Sequence, residues 1–304
     1  MAQSSVSDHS LIPHSSGDLV SGSTGSHPIL SRMTDGVLET IKEKNRALQA
    51  ARFILGAYEF REVDYQQILR WAQALGMTPE AVLEVLETSQ KKTRYQMFIR
   101  FVVDDGAIVS LAWDFDQLPL DNFEWHPAIA VKEIGFTGEL PNAAIGLSLK
   151  LSSSLYILDC SNLNLTELDL SPLLNLNCLD SSNNQLTELD LSPVPNLTDL
   201  FLDGNQLTEL DLSPLLNLEW LNCDSNQLIE LDLSPVPNLT MFWCSNNQLT
   251  VLDLSPVPNL TLLSLDGNQL SELDIRPFRK LNYLIINRQV RIIGTPPEST
   301  SFIN

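Results

Sequence analysis

A phrase of eight residues recurs at a constant step along the second half of this 304-residue chain. The phrase LTELDLSP begins at Leu165, Leu186 and Leu207, and its variants LIELDLSP, LTVLDLSP and LSELDIRP begin at Leu228, Leu249 and Leu270. The step is 21 residues each time, and a constant step of this length is typical of stacked repeats. Six units begin at Leu155, Leu176, Leu197, Leu218, Leu239 and Leu260, and a degraded seventh begins at Leu281.

The unit reads L-x-x-L-x-(C/L)-x-x-N-x-L-T-E-L-D-L-S-P-x-x-N. Its first half alternates with a period of two, which predicts a short strand. Positions four and six then point inward, and positions three, five and seven point outward on one parallel sheet. The Asn at position nine can bond backbone groups where the chain leaves the strand. Leucines at positions 11, 14 and 16 are predicted to point inward, and the units must stack to bury them.

This unit resembles the leucine-rich repeat, and more narrowly the 21-residue cysteine-ladder repeats of bacterial internalins. The ladder position holds Cys160, Ser181, Leu202, Cys223, Cys244 and Leu265, so the ladder is incomplete. The resemblance covers about half of the chain and implies an α/β leucine-rich repeat solenoid, with a short parallel sheet and an irregular or 3₁₀ convex side. It also implies protein binding, in an effector or surface-interaction setting.

The rest of the chain divides by composition. Residues 1–32 are rich in Ser, Gly and His and suit a disordered tail. We predict a small α+β domain over residues 33–140, a solenoid cap over 141–154, repeats over 155–290 and a C-terminal tail over 291–304. Within the α+β domain we predict a helical pattern from Thr34 to Leu55, helices over Tyr65–Leu75 and Ala81–Ser89, a hairpin of Tyr95–Val103 with Ala107–Phe115, and a strand over Ala128–Phe136.

The outward strand positions carry large apolar residues on the middle and late units. These are Phe201, Trp220, Met241, Trp243, Leu262 and Tyr283, bordered by acids that include Asp199, Asp203 and Asp224. Exposed aromatics on a rigid sheet favour an interface. We therefore predict that these nine residues bind a protein partner of basic and apolar character. The alternative is that stacking of the units merely tolerates these side chains, or that the N-terminal domain or a tail folds over them.

The second half of the unit places further acids at positions 13 and 15. A solvated edge copied by duplication is the simpler interpretation. Weak calcium binding is the less favoured alternative, because Ca²⁺ needs several carboxylate oxygens. Cys160, Cys223 and Cys244 are predicted to be core residues, with a redox or metal role as the weaker alternative. Cys178, at position three, is predicted to face solvent.

The net charge of −20 is concentrated in the repeats, where 18 acids and no Lys or Arg lie between Leu151 and Ile275. This balance argues against nucleic acid as a partner. No apolar run suits a membrane span, so we expect no membrane insertion. No catalytic or cofactor motif appears, although Asp104, Asp105, Asp114, Asp116, Glu124 and His126 cluster in sequence near the hairpin.

We accordingly expect a non-enzymatic binding module without a cofactor. A bacterial effector is one setting for it. The alternative is an intracellular scaffold or regulator whose N-terminal domain carries the activity. The expected location is the cytoplasm, or outside the cell after secretion by a signal-peptide-independent route, because the first residues show no secretory signal.

Overall fold

The computed structural model describes residues 52–92, 98–105, 107–119, 131–138, 153–297 and 300–303. Two helices and seventeen strands lie within these residues. The helices are α1 (Glu62–Leu75) and α2 (Pro79–Thr88). The strands before the repeats are β1 (Arg52–Leu55), β2 (Tyr58–Arg61), β3 (Gln90–Lys92), β4 (Phe98–Arg100), β5 (Val102–Asp104), β6 (Ala107–Asp114) and β7 (Glu133–Thr137).

The repeats contribute one strand each, and we call each 21-residue unit a rung. The rung strands are β8 (Ile157–Asp159), β9 (Cys178–Asp180), β10 (Asp199–Phe201), β11 (Trp220–Asn222), β12 (Met241–Trp243), β13 (Leu262–Ser264) and β15 (Tyr283–Ile285). The remaining strands are β14 (Glu272–Asp274), β16 (Arg291–Ile293) and β17 (Ser301–Ile303). The predicted rung spacing is confirmed, since successive rung strands start 21 residues apart.

One sheet of eleven strands runs from β5 through β6, β7 and the rungs to β17. Only β5 pairs antiparallel, with β6; every other pair in this sheet is parallel. The predicted hairpin of 95–103 with 107–115 is confirmed only in part, because its first strand is divided into β4, which pairs with β3, and β5, which pairs with β6. The stretch predicted as a C-terminal tail contributes β17 to this sheet, and also β16, which pairs with β14 in a separate short sheet. The sheet of the repeats is thus continuous with strands that precede them in the chain.

A ladder of asparagines holds the rungs in register. Asn184 Oδ1 accepts from the backbone N–H groups of Leu163 and Leu165, at 3.0 and 2.9 Å. Its Nδ2 donates to the carbonyls of Cys160 and Ser181. Asn205, Asn226, Asn247 and Asn268 bridge the following rungs in the same way. The predicted role of the position-nine Asn is confirmed, because it pairs backbone groups that are buried where the strand ends.

The core is built from the inward positions. The leucines at positions 11 and 16 are buried, as predicted, whereas those at position 14 are mostly half-buried. Cys160, Cys223 and Cys244 are fully buried free thiols. Burial raises the pKa of Cys160 and Cys223 well above the usual value for a thiol. These three residues therefore pack as small apolar side chains.

The helices pack near the start of the sheet. Helix α1 ends at Gly76, whose φ of 64° suits glycine, and α2 begins at Thr78, whose Oγ accepts from the Ala81 N–H. Trp71 of α1 meets Trp113 of β6 with ring centroids 4.8 Å apart. Both helices lie where the sequence predicts them, within a few residues.

The predicted helical pattern from Thr34 to Leu55 is wrong at its C-terminal end. Residues 52–55 form β1, which pairs antiparallel with β2, and the rest of the pattern lies outside the described residues. Only Ile54 and Leu55 of the pattern fall inside β1, and two adjacent apolar residues do not distinguish a helix from a short strand. The predicted cap over 141–154 likewise lies almost wholly outside the described residues, as do positions 128–130 of the predicted strand before β8.

Candidate protein-binding face

The parallel register aligns the outward side chains in columns. Trp220 pairs with Met241, Met241 with Leu262, and Leu262 with Tyr283, so four adjacent rungs carry these residues in one column. Trp243 lies on the same strand as Met241 and projects from the same face. We call the outward surface formed by positions three, five and seven the sheet face. The structure therefore brings together five of the six apolar residues chosen from the sequence.

These five side chains differ in exposure from the sixth. Tyr283 is 48 % exposed, and Trp220, Met241, Trp243 and Leu262 are half-buried. The expectation that Phe201 is exposed is wrong, since only 4 % of its surface is accessible.

The burial of Phe201 follows from its place in the sheet face. It occupies position five, the middle column, between Asp180 and Asn222, which are themselves buried. A middle column is covered on both sides by the columns at positions three and seven. Trp243 stays half-exposed in this column because its side chain is large enough to project beyond its neighbours.

Cys178 is also buried, with 7 % exposure, so the prediction that it faces solvent is wrong. It lies between Ile157 and Asp199 in the third-position column. A small side chain between two longer ones on neighbouring strands is covered by them. Position three alone is therefore not sufficient for exposure.

The three predicted acids border the apolar column and are partly engaged. Asp199 accepts from the Thr198 hydroxyl at 2.6 Å. Asp224 accepts from the backbone N–H of Ser245 on the next rung. Asp203 and Asp224 occupy position seven on adjacent rungs, and all three carboxylates are half-buried. They place negative charge at the edge of an otherwise apolar surface.

A hairpin from the N-terminal part of the chain lies over the beginning of the sheet face. Strands β3 and β4 pair antiparallel and contact β6 and β7. Lys91 of β3 reaches β8, where its Nζ donates to the Ser161 carbonyl at 3.2 Å and lies 3.5 Å from Asp159 Oδ1. A Cβ at Gly135 of β7 would lie 2.8 Å from Lys91 Cβ, so this close crossing requires glycine.

The hairpin creates a buried acidic pair that sequence analysis did not assign. Asp159 and Asp180 lie in register and are 2 % and 7 % exposed. Burial, and then the charge of Asp180, raise the pKa of Asp159, while Lys91 and Ser161 act in the opposite direction. The signal available in the sequence was two outward acids on neighbouring rungs, in a stretch from Leu151 to Ile275 that contains no Lys or Arg. Their partner lies 68 residues before Asp159 and belongs to no recognisable motif.

The N-terminal part of the chain therefore covers one end of the sheet face, and this end does not include the apolar column. Within the described residues, the β3–β4 hairpin covers the sheet face at β7 and β8. The apolar column on β11, β12, β13 and β15 lies beyond Lys91, and its last residue, Tyr283, is the most exposed. The sheet face is thus divided into a closed, polar end and an accessible, apolar end.

Two of the acids considered for catalysis make local structural contacts. Asp105 pairs with Arg52 at 2.6 Å, and Asp114 accepts from the Asp116 N–H and the Gln117 amide. Glu124 and His126 lie outside the described residues. Among residues that the structure does describe, no group of three metal-ligating side chains converges, and no helix has the length and apolarity to cross a bilayer.

Comparison with known proteins places this architecture. No protein-family model and no curated protein matches the chain. Among solved structures it is similar to the functional domain of InlJ from Listeria monocytogenes, which includes a cysteine ladder, with 30% identity and a TM-score of 0.53. That similarity covers 64% of this chain but only 45% of the InlJ structure, so the chain spans less than half of it. A leucine-rich repeat protein of Leptospira interrogans is similar at 19% identity, with a TM-score of 0.41, over 62% of this chain and 67% of that one.

The repeat features of this chain and its similarity to a solved structure indicate the same architecture. A 21-residue step, inward leucines and an asparagine ladder define the rungs, and the InlJ domain shares the repeat architecture. The ladder of cysteines is interrupted here by Ser181 and Leu202. The chain therefore has a leucine-rich repeat fold with 21-residue units.

Proposed function

We propose that the chain is a protein-binding module whose partner docks on the accessible end of the sheet face. The observation that carries the proposal is the single register of Trp220, Met241, Leu262 and Tyr283 on four adjacent rungs, with Trp243 beside them. Large side chains on a hydrogen-bonded sheet lose little further conformational entropy when they bind. Trp and Tyr are also the residues that most often dominate binding energy at interfaces.

The chemistry of the sheet face indicates which kind of partner surface would fit it. An apolar column calls for an apolar strip, and the bordering carboxylates of Asp199, Asp203 and Asp224 favour Lys or Arg at its edge. Phe201 is buried and is therefore not itself a contact residue. We propose no catalytic step for Asp105 and Asp114, because Asp105 pairs with Arg52 and Asp114 accepts from the Asp116 N–H.

The test uses Trp220→Ala combined with Trp243→Ala in the full chain. A partner is identified by affinity capture and then purified, and its Kd is measured for wild type and variant by calorimetry. We expect the double variant to weaken binding by at least about a hundredfold, because each buried interface Trp contributes roughly 2 kcal/mol or more.

A matched control is Leu174→Ala combined with Leu216→Ala. These leucines are 55 % and 61 % exposed and lie at position 20, away from the sheet face. The control should leave Kd unchanged, and both variants should retain the far-UV circular dichroism of the wild type. Full affinity in the Trp220/Trp243 variant would refute the proposal.

We further propose that this binding serves a bacterial effector. The likeness to the InlJ domain of Listeria monocytogenes supports this setting. Fractionation of the source cells with an antibody against the chain tests it. Recovery outside the producing cell, without lysis markers, is the expected result, whereas strict retention in the cytoplasm would favour an intracellular scaffold.

A further inference from the structure

A groove of about 990 Å³ crosses five rungs on the surface formed by the second half of the units. Its floor is the position-14 column, which packs against the core and consists of Leu168, Leu189, Leu210, Leu231 and Leu252. The glutamates at position 13 form one wall and the aspartates at position 15 form the other. Eight carboxylates line the groove together with these leucines and Val251. The groove therefore has an apolar floor between two acidic walls.

The aspartates of the groove are held in place by hydrogen bonds from the serines two residues after them. The Ser192 and Ser213 backbone N–H groups donate to Asp190 and Asp211 at 2.9 and 2.8 Å. These bonds and those from the serine hydroxyls lower the pKa of both aspartates. From Glu188 onward, no described basic side chain lies within ion-pairing distance of a carboxylate that lines the groove. The walls thus hold a negative potential that the rest of the described chain does not neutralise.

The spacing of the leucines in the floor distinguishes a helical ligand from an extended one. Successive rungs stack at the strand spacing of the sheet, about 4.8 Å, so leucines at the same position of five rungs span about 19 Å. One turn of α-helix rises 5.4 Å, and four turns span about 22 Å. Side chains on one face of an extended strand repeat every 6.7 Å or so, and four such steps span about 27 Å. A helix therefore stays in register with the floor far better than an extended peptide does.

We propose that the groove binds a cationic amphipathic helix of a partner protein. The apolar stripe of the helix lies on the leucine floor, and Lys or Arg residues on both sides of the stripe reach the acidic walls. Such a stripe, about 100° wide and flanked by charge, is the ordinary pattern of an amphipathic helix. The groove is separate from the sheet face, so this inference does not depend on the Trp220 and Trp243 surface.

The probe is a synthetic Leu/Lys peptide of about 18 residues whose leucines recur every three or four positions. A scrambled peptide of the same composition is the first control, and a strictly alternating Leu/Lys peptide, which favours strands, is the second. Binding to the full chain is followed by fluorescence anisotropy at low and physiological salt. We expect the helical peptide to bind at least about tenfold tighter than either control. Only the helical peptide can place its leucines on the floor while its lysines reach both acidic walls.

Two variants of the chain locate the site. Leu189→Gln with Leu210→Gln should weaken binding of the helical peptide about tenfold or more by removing the apolar floor. Glu188→Gln with Glu209→Gln changes only exposed wall residues, and it should weaken binding and flatten its salt dependence. Circular dichroism checks that each variant is folded.

Three results would overturn the inference. Equal binding of the scrambled peptide would show attraction to net charge alone. Tighter binding of the alternating peptide would exclude a helix. Loss of binding in the Trp220→Ala/Trp243→Ala variant, with full binding in both groove variants, would place the peptide on the sheet face.

Discussion

Replacement of Asn205 and Asn226 together by alanine should cost more stability than the two single replacements added. The reason is one shared acceptor. The Leu202 carbonyl receives a hydrogen bond from Asn205 Nδ2 at 2.9 Å and another from Asn226 Nδ2 at 3.0 Å. Either single variant leaves this buried carbonyl with one donor, and the double variant leaves it with none.

The magnitudes follow from the bonds that each variant loses. Asn226→Ala leaves the Leu207 N–H without its acceptor, because in the wild type it donates to Asn226 Oδ1 at 3.0 Å. The Cys223 carbonyl keeps a donor, because Asn247 Nδ2 also reaches it, at 2.9 Å. One orphaned buried N–H costs about 1–3 kcal/mol and each further lost bond about 1 kcal/mol, so we expect a loss of about 3 kcal/mol. In the double variant the orphaned carbonyl adds a coupling of about 1–2 kcal/mol.

The assay is urea-induced unfolding followed by far-UV circular dichroism, with free energies of unfolding compared in a double-mutant cycle. A matched control pair is Asn184→Ala with Asn226→Ala, which share no acceptor. Their effects should add to within about 0.5 kcal/mol. If the Asn205 and Asn226 effects add as closely as those of the control pair, the shared carbonyl is not what couples neighbouring rungs.

Two further predictions concern the closed end of the sheet face. The raised pKa of Asp159 means that its protonated form stabilises the fold below the unfolded pKa of about 4 and that this contribution is lost as pH rises through the folded value. Asp159→Asn, which retains an acceptor for Ser161, should therefore gain stability relative to wild type as pH rises from about 4 to about 7; a difference that is independent of pH in urea titrations would contradict this. Gly135→Ala should destabilise the chain by roughly 1–3 kcal/mol, because its Cβ would meet Lys91 at 2.8 Å. An unchanged urea midpoint would show that the hairpin does not cross β7 so closely.

The repeat made the core of the fold predictable. Stacking of identical units dictates that leucines at fixed positions face inward and that the position-nine Asn meets the same backbone groups on every rung. The start of α2 at Thr78-Pro79 and the end of α1 before Gly76 were also predictable from the sequence, because each depends on residues close by in the chain.

Features that depend on distant residues were not predictable from one sequence. Lys91 approaches Asp159 only because β3 and β4 fold back over β7. Phe201 and Cys178 sit at outward positions, yet both are buried by neighbours on adjacent rungs. A period of two tells which face a side chain occupies, whereas its exposure depends on the size of the side chains around it.

The two proposed surfaces differ in how much they can discriminate. The third-position column changes at every rung, and from Asp199 it reads Asp, Trp, Met, Leu and Tyr. A partner displaced along it by one rung, about 5 Å, meets different side chains throughout, so the sheet face can select one binding register. The groove repeats nearly the same Glu, Leu and Asp at each rung, and a helix shifted by one rung keeps most of its contacts. If both proposals hold, specific recognition is expected of the sheet face, whereas the groove should bind a helix with little preference for register.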